Sequence, residues 1–239
     1  LAKQRRSDPR DDIVTKLINA EVDGEQLSEL EFDMFMLLLA VAGNETTRNT
    51  TAWGMWALMQ HPEQYAALRG DRDVLLGTAV EEILRWASPV MYFRRTATCD
   101  TEVAGQAIRE GDKVVIWYVS GNRDPESIES PESFIIDRPN PRQHLSFGFG
   151  VHRCVGNRLA ELQLRILSRC AHAGVSKKSH SAIVAHKPLH VATLRHFPVR
   201  RVAETAADPG SHGASITQLG SGRCLRKLLF FETTCSHSG

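Results

Sequence analysis

The sequence lacks several features that would place it in well-defined classes of protein. Its most apolar run, Met34 to Ala42, is nine residues long, about half of the roughly 18–20 residues that a membrane-spanning helix needs. Its 29 basic and 28 acidic residues give a net charge of +1. Bulk charge therefore offers no case for binding nucleic acid or an anionic membrane. We expect a protein without a membrane span and without a nucleic-acid partner.

Cysteine is present, but it lacks the spacing that is typical of cysteine-rich folds. None of the five cysteines forms a C-x-x-C pair, which argues against a disulfide framework or a zinc ribbon and favours a reducing compartment. The chain begins at Leu1 without an initiator methionine or an apolar signal region. These features predict a cytoplasmic protein whose N-terminus is truncated.

Helical patterns fill the first part of the chain. Ser28 followed by Glu31 predicts a capping box at the start of a helix, which would run to about Gln60. The first half of this helix is apolar on nearly every face, so we expect it to lie through the middle of a larger protein. Shorter helices are predicted from Pro62 to Arg69 and from Leu75 to Trp86.

The pattern changes after these helices. Residues Met91 to Thr98 and Lys113 to Val119 are rich in aromatic and β-branched side chains, which predicts a small β region. Residues 121–144 show little periodicity and predict ordered coil, and a last helix is predicted from about Val155 to about Leu167. The sequence therefore predicts a fold that is mainly α with a small β region.

One cysteine lies in an unusual setting. Cys154 ends the run Phe147-Gly148-Phe149-Gly150-Val151-His152-Arg153-Cys154. Glycines permit tight turns and close approach of the backbone to a flat ligand. The adjacent bases and the start of the following helix favour a metal-ligating thiolate. Two other interpretations stay open at this point: a buried structural cysteine, or half of a zinc site with His152, although no second pair follows at a suitable spacing.

The spacing Phe-x-x-Gly-x-His-x-Cys-x-Gly resembles the haem-binding loop of the cytochrome P-450 family. The likeness is greatest to soluble bacterial members that hydroxylate steroid, terpenoid or fatty-chain substrates. In that family the cysteine is the axial thiolate ligand of haem iron. The resemblance therefore implies that Cys154 binds the iron of haem b, with the other cofactor-binding positions of the loop at Phe147, Gly148, Gly150 and Gly156.

A second motif lies inside the long helix. The stretch Ala42-Gly43-Asn44-Glu45-Thr46-Thr47 contains weak helix formers, which predict an interruption of the helix. A structural alternative is a glycine that permits close packing and a threonine that bonds back to the preceding turn. The stretch also resembles the oxygen-activation motif of the same family. That resemblance implies an acid–alcohol pair at Glu45 and Thr46, with Ala42 and Gly43 beside the haem.

The third motif is Glu82-Ile83-Leu84-Arg85. By itself, an acid and a base three residues apart on a helix indicate an ordinary surface ion pair. The motif resembles the family's Glu-x-x-Arg pair, which is buried and holds the segment before the haem loop. The resemblance implies a structural role for Glu82 and Arg85, with Arg138 completing the network.

Further residues are implied by the same resemblance. Buried haem propionates need cationic donors, and the positions that match this role are Arg95, His144 and His152. The segment at residues 88–94 matches one that lines the substrate pocket in the family, which implies pocket positions at Val90, Met91 and Phe93. The core of a plain β-strand would explain the same apolar pattern.

The resemblance implies a haem-thiolate monooxygenase that inserts one oxygen atom of O2 into a C–H bond of a hydrophobic small molecule. Its electrons would come from NAD(P)H through a ferredoxin-type donor. Two alternatives remain. One is a haem-thiolate enzyme of another activity, such as a peroxygenase, an isomerase or a dehydratase. The other is a truncated remnant that binds haem poorly and catalyses nothing.

The likeness is not uniform along the chain. We interpret residues 1–167 as part of a cytochrome P-450 catalytic domain. Residues 168–200 resemble a disrupted end of that domain, with a family-like strand near 194–200. Residues 201–239 are rich in Ser, Gly and Thr and predict a disordered or out-of-frame tail without a helix or strand.

Overall fold

The computed structural model describes residues 2–103, 105–174 and the backbone of residues 216–219. The chain divides into two compact units, Leu1–Thr46 and Thr47–Gly239. The division falls inside the longest helix. The predicted strand near 194–200 and most of the predicted tail lie outside the described residues.

The first unit contains two short helices, a small hairpin and the start of the long helix. Helix α1 is Ala2–Ser7 and α2 is Ile13–Ile18. Strands β1 (Glu21–Val22) and β2 (Glu25–Gln26) are antiparallel. The turn between them has positive φ at Asp23 and Gly24, a conformation that glycine adopts without strain.

The long helix α3 spans Glu29–Gln60, which makes 32 residues. Its capping box forms as predicted: the Glu31 carboxylate accepts from the Ser28 amide at 2.9 Å and from the Ser28 hydroxyl at 2.8 Å. The prediction of an interruption at residues 42–47 is wrong, because every residue of that stretch is helical. Thr46 satisfies its hydroxyl within the helix, as described below, so weak propensity does not open the helix. Several apolar side chains of its first half are exposed, including Met34, Leu37, Leu38 and Val41.

The second unit is built on helices α4 (Pro62–Gly70), α5 (Arg72–Ala87) and α7 (Asn157–Gly174). Helix α7 begins two residues later and ends seven residues later than predicted. One apolar core joins the end of α3 to α4 and α5 through Leu58, Leu68 and Ile83. A second joins α5 to α7 through Leu76, Val80, Leu84 and Leu164. None of the helices in the described ranges combines the length and apolar character that crossing a membrane requires.

The predicted β region forms as two small sheets. Strand β3 (Tyr92–Thr96) is antiparallel to β6 (Lys113–Trp117), and β4 (Thr101–Val103) is antiparallel to β5 (Gln106–Ile108). The short helix α6, Tyr118–Gly121, follows β6 directly.

Two observations differ from what the sequence pattern indicated for the end of the chain and for its cysteines. Strand β7, Ile216–Leu219, pairs in parallel with β6, so the tail contains a strand because an open sheet edge can pair with a distant segment. Cys99 is disulfide-bonded. The lack of C-x-x-C spacing did not exclude this bond, since a disulfide can also join cysteines that are far apart in sequence.

Candidate functional site

The loop that contains Cys154 connects the coil after β6 to helix α7. Its backbone includes a short 3₁₀ turn at Gly150–His152, and the Cys154 amide donates to the Phe147 carbonyl at 2.8 Å. The Phe147 ring packs against the core between α5 and α7. The cysteine backbone is therefore bonded to a residue that is itself anchored in the core.

Two glycines give this loop its shape. Gly148 and Gly150 have φ values of 67° and 69°, a region that side chains with a Cβ rarely adopt. A Cβ added at Gly148 would also lie 3.2 Å from the Tyr118 hydroxyl. The turn therefore requires glycine at residue 148 for both conformation and space.

The Cys154 thiol is exposed and forms no disulfide. Its neighbours along the chain include three exposed apolar side chains. Phe149, Val151 and Val155 are exposed by 47%, 73% and 90%. An added Cβ at Gly156 would meet no atom within 4 Å. A soft thiolate donor beside apolar surface and a glycine backbone fits a flat, apolar porphyrin with its iron. The residues present are thus suited to haem and less suited to a structural core, which would have buried the thiol.

A buried charge network lies at the C-terminal end of α5. Arg85 donates to both carboxylate oxygens of Glu82, at 2.7 and 2.8 Å, and Arg138 donates to Glu82 at 2.9 Å. The Arg85 and Glu82 side chains are exposed by only 2% and 1%. These contacts are the ones that the resemblance implied, and they differ from the surface ion pair that the spacing alone indicated.

The same arginines also bind the coil that precedes the loop. Arg85 donates to the carbonyls of Asn122, Pro131 and Ser133 at 2.8–3.0 Å. Arg138 donates to the carbonyls of Glu129, Ser130 and Ser133. Because this coil belongs to no helix or strand, the two guanidinium groups supply hydrogen-bond donors to carbonyls that no sheet or helix ladder pairs.

The His144 ring makes contacts that differ from the propionate bond that the resemblance implied. Its side chain is 3% exposed, its Nε2 lies 3.1 Å from the Glu81 carboxylate, and its Nδ1 accepts from the Ser146 amide at 3.2 Å. Both ring nitrogens are therefore engaged within the protein. The structure does not favour His144 as a donor to a haem propionate, because a bond to that group would cost one of these two contacts.

Glu81 belongs to a second charge cluster that joins α5 to α7. Arg142 donates to Glu81 at 3.0 Å and to Glu161 at 2.9 Å, and both carboxylates are buried. Burial acts to raise the pKa of Glu81, but the hydrogen bond to His144, with the charge and hydrogen bond of Arg142, holds that pKa below its usual value. The cluster therefore holds Glu81 as a carboxylate.

The other two bases assigned to the propionates are both accessible to solvent. Arg95 is half-buried in β3, and its guanidinium lies 5.5 Å from the centre of the Phe93 ring. His152 is exposed at the end of the 3₁₀ turn, two residues before Cys154. Their positions are compatible with binding an anionic group.

The three suggested pocket residues differ in their surroundings. Val90 packs against the buried pair Ile116 and Tyr118, which agrees with the alternative of a strand core. Met91 is half-buried. The Phe93 ring is 48% exposed and lies 5.9 Å from the Tyr118 ring. Of the three, Phe93 presents the most uncovered apolar surface.

The acid–alcohol motif is found at the end of the first unit. The Thr46 hydroxyl donates to the Ala42 carbonyl at 2.6 Å, which is the back-bonding that the structural alternative described. Close packing does not explain Gly43, because an added Cβ there would meet no atom within 4 Å. Glu45 is exposed. The helix backbone is therefore uncrowded at Gly43, two residues before Glu45 and three before Thr46.

Asn122 is a residue that the sequence analysis missed. It is fully buried, and its side chain bonds Ser88, Leu145 and Ser146. It lies in the stretch predicted as coil, where the absence of periodicity left no signal for a buried polar group.

Comparison with known proteins agrees with the resemblance. Residues 2–170 match the family model for cytochrome P-450. A methyl-branched lipid omega-hydroxylase from Mycobacterium bovis is 50% identical over 167 residues, which make up 70% of this chain and 39% of that protein. A linalool 8-monooxygenase from Pseudomonas putida is 48% identical over 167 residues, or 70% of this chain and 41% of that protein.

Solved structures give the same result for the fold. A Mycobacterium marinum cytochrome P-450 in complex with pseudoionone matches with a TM-score of 0.70 and 48% identity, over 73% of this chain and 42% of that chain. The chain thus spans about two fifths of the length of the relatives it matches. The predicted fold class, the C-terminal part of this fold, is confirmed, and the chain belongs to the cytochrome P-450 family.

Proposed function

We propose that the protein to which this chain belongs is a haem-thiolate monooxygenase acting on a hydrophobic small molecule. The observation that carries the proposal is the exposed Cys154 thiol, which the loop glycines and the anchored Phe147 hold beside uncovered apolar surface. The bound haem would supply the activation of O2 and the insertion of one oxygen atom into a C–H bond.

The residues of this chain have separate tasks in that proposal. Cys154 would ligate the iron of haem b, with Phe147, Gly148, Gly150 and Gly156 forming the surface against which the porphyrin lies. Arg95 and His152 would donate to the propionates, because charge-assisted hydrogen bonds suit buried carboxylates. Glu45 and Thr46 would deliver protons, with Ala42 and Gly43 leaving space beside them. Glu82, Arg85 and Arg138 would hold the loop and its preceding coil in place.

The substrate we propose is a steroid, terpenoid or fatty chain. Two relatives are named for a methyl-branched lipid and for linalool, and the exposed apolar side chain of Phe93 supports an apolar ligand. Electrons would come from NAD(P)H through a ferredoxin-type donor. We place the protein in the cytoplasm, where NAD(P)H is available.

A labelling experiment tests this proposal. The protein to which this chain belongs, expressed with a haem supply, would be given ferredoxin, its reductase, NADPH and ¹⁸O2 together with linalool or a methyl-branched fatty acid. We expect a hydroxylated product that carries one ¹⁸O atom. Haem binding with no labelled product from any of these substrate classes would contradict the proposal and favour a haem-binding remnant.

A further inference from the structure

The buried amide of Asn122 joins the end of α5 to the loop that contains Cys154. Asn122 follows α6 and is 0% exposed. Its Nδ2 donates to the hydroxyls of Ser88 and Ser146, each at 2.9 Å, and its Oδ1 accepts from the Leu145 amide at 2.6 Å. Every hydrogen atom of the side-chain amide is thereby used.

The direction of each bond is fixed by chemistry. The Leu145 amide can only donate, so it must face Oδ1. The Ser88 hydroxyl donates to the Arg85 carbonyl at 2.8 Å, and the Ser146 hydroxyl donates to the Leu84 carbonyl at 2.7 Å. Each hydroxyl therefore accepts from Nδ2, and reversing the amide would lose three bonds at once.

The backbone of Asn122 extends the same connection. Its carbonyl accepts from Arg85 Nη1 at 2.8 Å, which joins it to the Glu82–Arg85 network. Its amide donates to the Tyr118 carbonyl at 2.9 Å. Asn122 is therefore held on the α5 side while its side chain holds Leu145 and Ser146.

Leu145 and Ser146 lead directly to the cysteine. The Leu145 carbonyl accepts from the Gly148 amide at 2.8 Å, and the Phe147 carbonyl accepts from the Cys154 amide at 2.8 Å. A shift of residues 145 and 146 would move both acceptors. The Asn122 side chain is thus linked through residues 145–147 to the backbone of Cys154.

We propose that Asn122 is a positioning residue that holds the Cys154 loop against the C-terminal end of α5. This inference rests on the proposed function, because the loop matters most when Cys154 binds haem. Asn122 makes no contact with Cys154 and acts through Leu145 and Ser146. Its role differs from that of Arg85, which binds carbonyls of the coil at Asn122, Pro131 and Ser133 and reaches no residue of the loop itself.

Hydrogen exchange followed by mass spectrometry tests this role on the chain without haem. In Asn122→Ala, we expect amide exchange in the peptide covering residues 145–154 to accelerate at least tenfold, because local opening is no longer opposed by the lost bonds. Exchange in the α5 peptide covering residues 76–84 should remain within about threefold of the wild-type rate.

Two further variants separate positioning from general loss of stability. Ser88→Ala removes the bond on the α5 side only, so its loop peptide should exchange at close to the wild-type rate. Asn122→Asp keeps an acceptor for the Leu145 amide and loses the two donors. It should therefore give an intermediate rate, and it serves as the test if Asn122→Ala does not fold. Unchanged loop exchange in the Asn122 variants would overturn the proposal. So would equal acceleration in the loop and in α5, or equal acceleration in Ser88→Ala.

A spectroscopic measurement on the haem-loaded chain completes the test. Asn122→Ala should convert part of the reduced carbon monoxide complex from the thiolate-type band to the band of a neutral ligand, whereas Ser88→Ala should not. An unaltered thiolate band in Asn122→Ala would overturn the proposal. Absence of haem binding by the protein to which this chain belongs would instead refute the proposed function, and exchange would still decide whether Asn122 positions the loop.

Discussion

At the scale of single residues, Thr46 and Thr51 lie one turn and a half apart on α3 and make the same kind of bond. The Thr46 hydroxyl donates to Ala42 at 2.6 Å, and the Thr51 hydroxyl donates to Thr47 at 2.8 Å. Both hydroxyls are therefore bonded back to the carbonyl four residues earlier in the helix. This pairing supplies a control for the proton-delivery role.

In an enzyme that turns over, Thr46→Ala should leave haem binding intact and divert reducing equivalents to hydrogen peroxide. We expect product formed per NAD(P)H to fall by about tenfold to a hundredfold, because a positioned proton donor contributes on that order or more. Thr51→Ala loses the equivalent helix bond and should keep its coupling. Equal coupling in the two variants, measured as peroxide and product per NAD(P)H, would count against the role of Thr46.

The Arg85 guanidinium is buried and makes five hydrogen bonds, and removing it takes an ion-pair partner from Glu82 and a donor from each of three carbonyls. Arg85→Gln should lower the free energy of unfolding by about 3–5 kcal/mol. Arg158 makes a pair of the same i, i+3 spacing with Glu161, but its side chain is 70% exposed. Arg158→Gln should cost no more than about 0.5 kcal/mol.

Urea unfolding of the two variants, followed by circular dichroism, measures both values. Similar decreases in the free energy of unfolding for Arg85→Gln and Arg158→Gln would show that burial does not determine how much these ion pairs stabilise the protein.

At the scale of secondary structure, local signals were sufficient for the long helix and for the two main strands. The Ser28–Glu31 box and the continuous helical pattern predicted α3, because a capping box involves only residues three apart. The two main strands of the β region were predicted from aromatic and β-branched runs. The network of Glu82, Arg85 and Arg138 was predicted only from the resemblance. The Glu-x-x-Arg spacing alone indicates an ordinary surface ion pair.

Contacts between distant residues could not be predicted from local sequence patterns. Asn122 and Ser146 are 24 residues apart, and Glu81 and His144 are 63 residues apart. Sequence periodicity does not indicate such a contact, because the path of the intervening coil is set by individual side-chain hydrogen bonds. For the same reason, His144 was assigned to the haem when its ring is bonded to Glu81.

Helix packing provides a prediction at this scale. Gly54 of α3 lies against α5, where an added Cβ would lie 2.5 Å from Ile83 Cγ2. Gly54→Ala should therefore destabilise the protein by about 1–2 kcal/mol, because overpacking outweighs the gain in helix propensity. Gly77→Ala in α5, where the nearest atom is 3.8 Å away, should be neutral or stabilise by up to about 1 kcal/mol. Thermal unfolding that moves in the same direction for both variants would contradict the packing account.

At the scale of the whole molecule, the cluster of Glu81, Arg142, His144 and Glu161 joins α5, the coil before the loop, and α7. The pKa of Glu81 is lower in the folded protein than its ordinary value of 4.5. A carboxylate of this kind stabilises the folded state fully above that value, and the contribution is lost as pH falls through the folded-state pKa.

We therefore expect the free energy of unfolding to decrease as pH falls below 4.5, with part of the slope due to Glu81. Glu81→Gln should be less stable than the wild type at pH 7 and should show a shallower slope below pH 4.5, because its amide does not titrate. Denaturant unfolding at a series of pH values measures both slopes. An identical slope in the variant would show that Glu81 does not contribute to acid sensitivity.

The central claim is that Cys154 binds haem iron as a thiolate. The reduced carbon monoxide difference spectrum of this chain, expressed with a haem supply, tests it most directly, with Cys154→Ser as the matched variant. The account predicts a thiolate-type band in the wild-type chain and its loss in Cys154→Ser. A neutral-ligand band in the wild type, or a thiolate-type band that persists in Cys154→Ser, would contradict it.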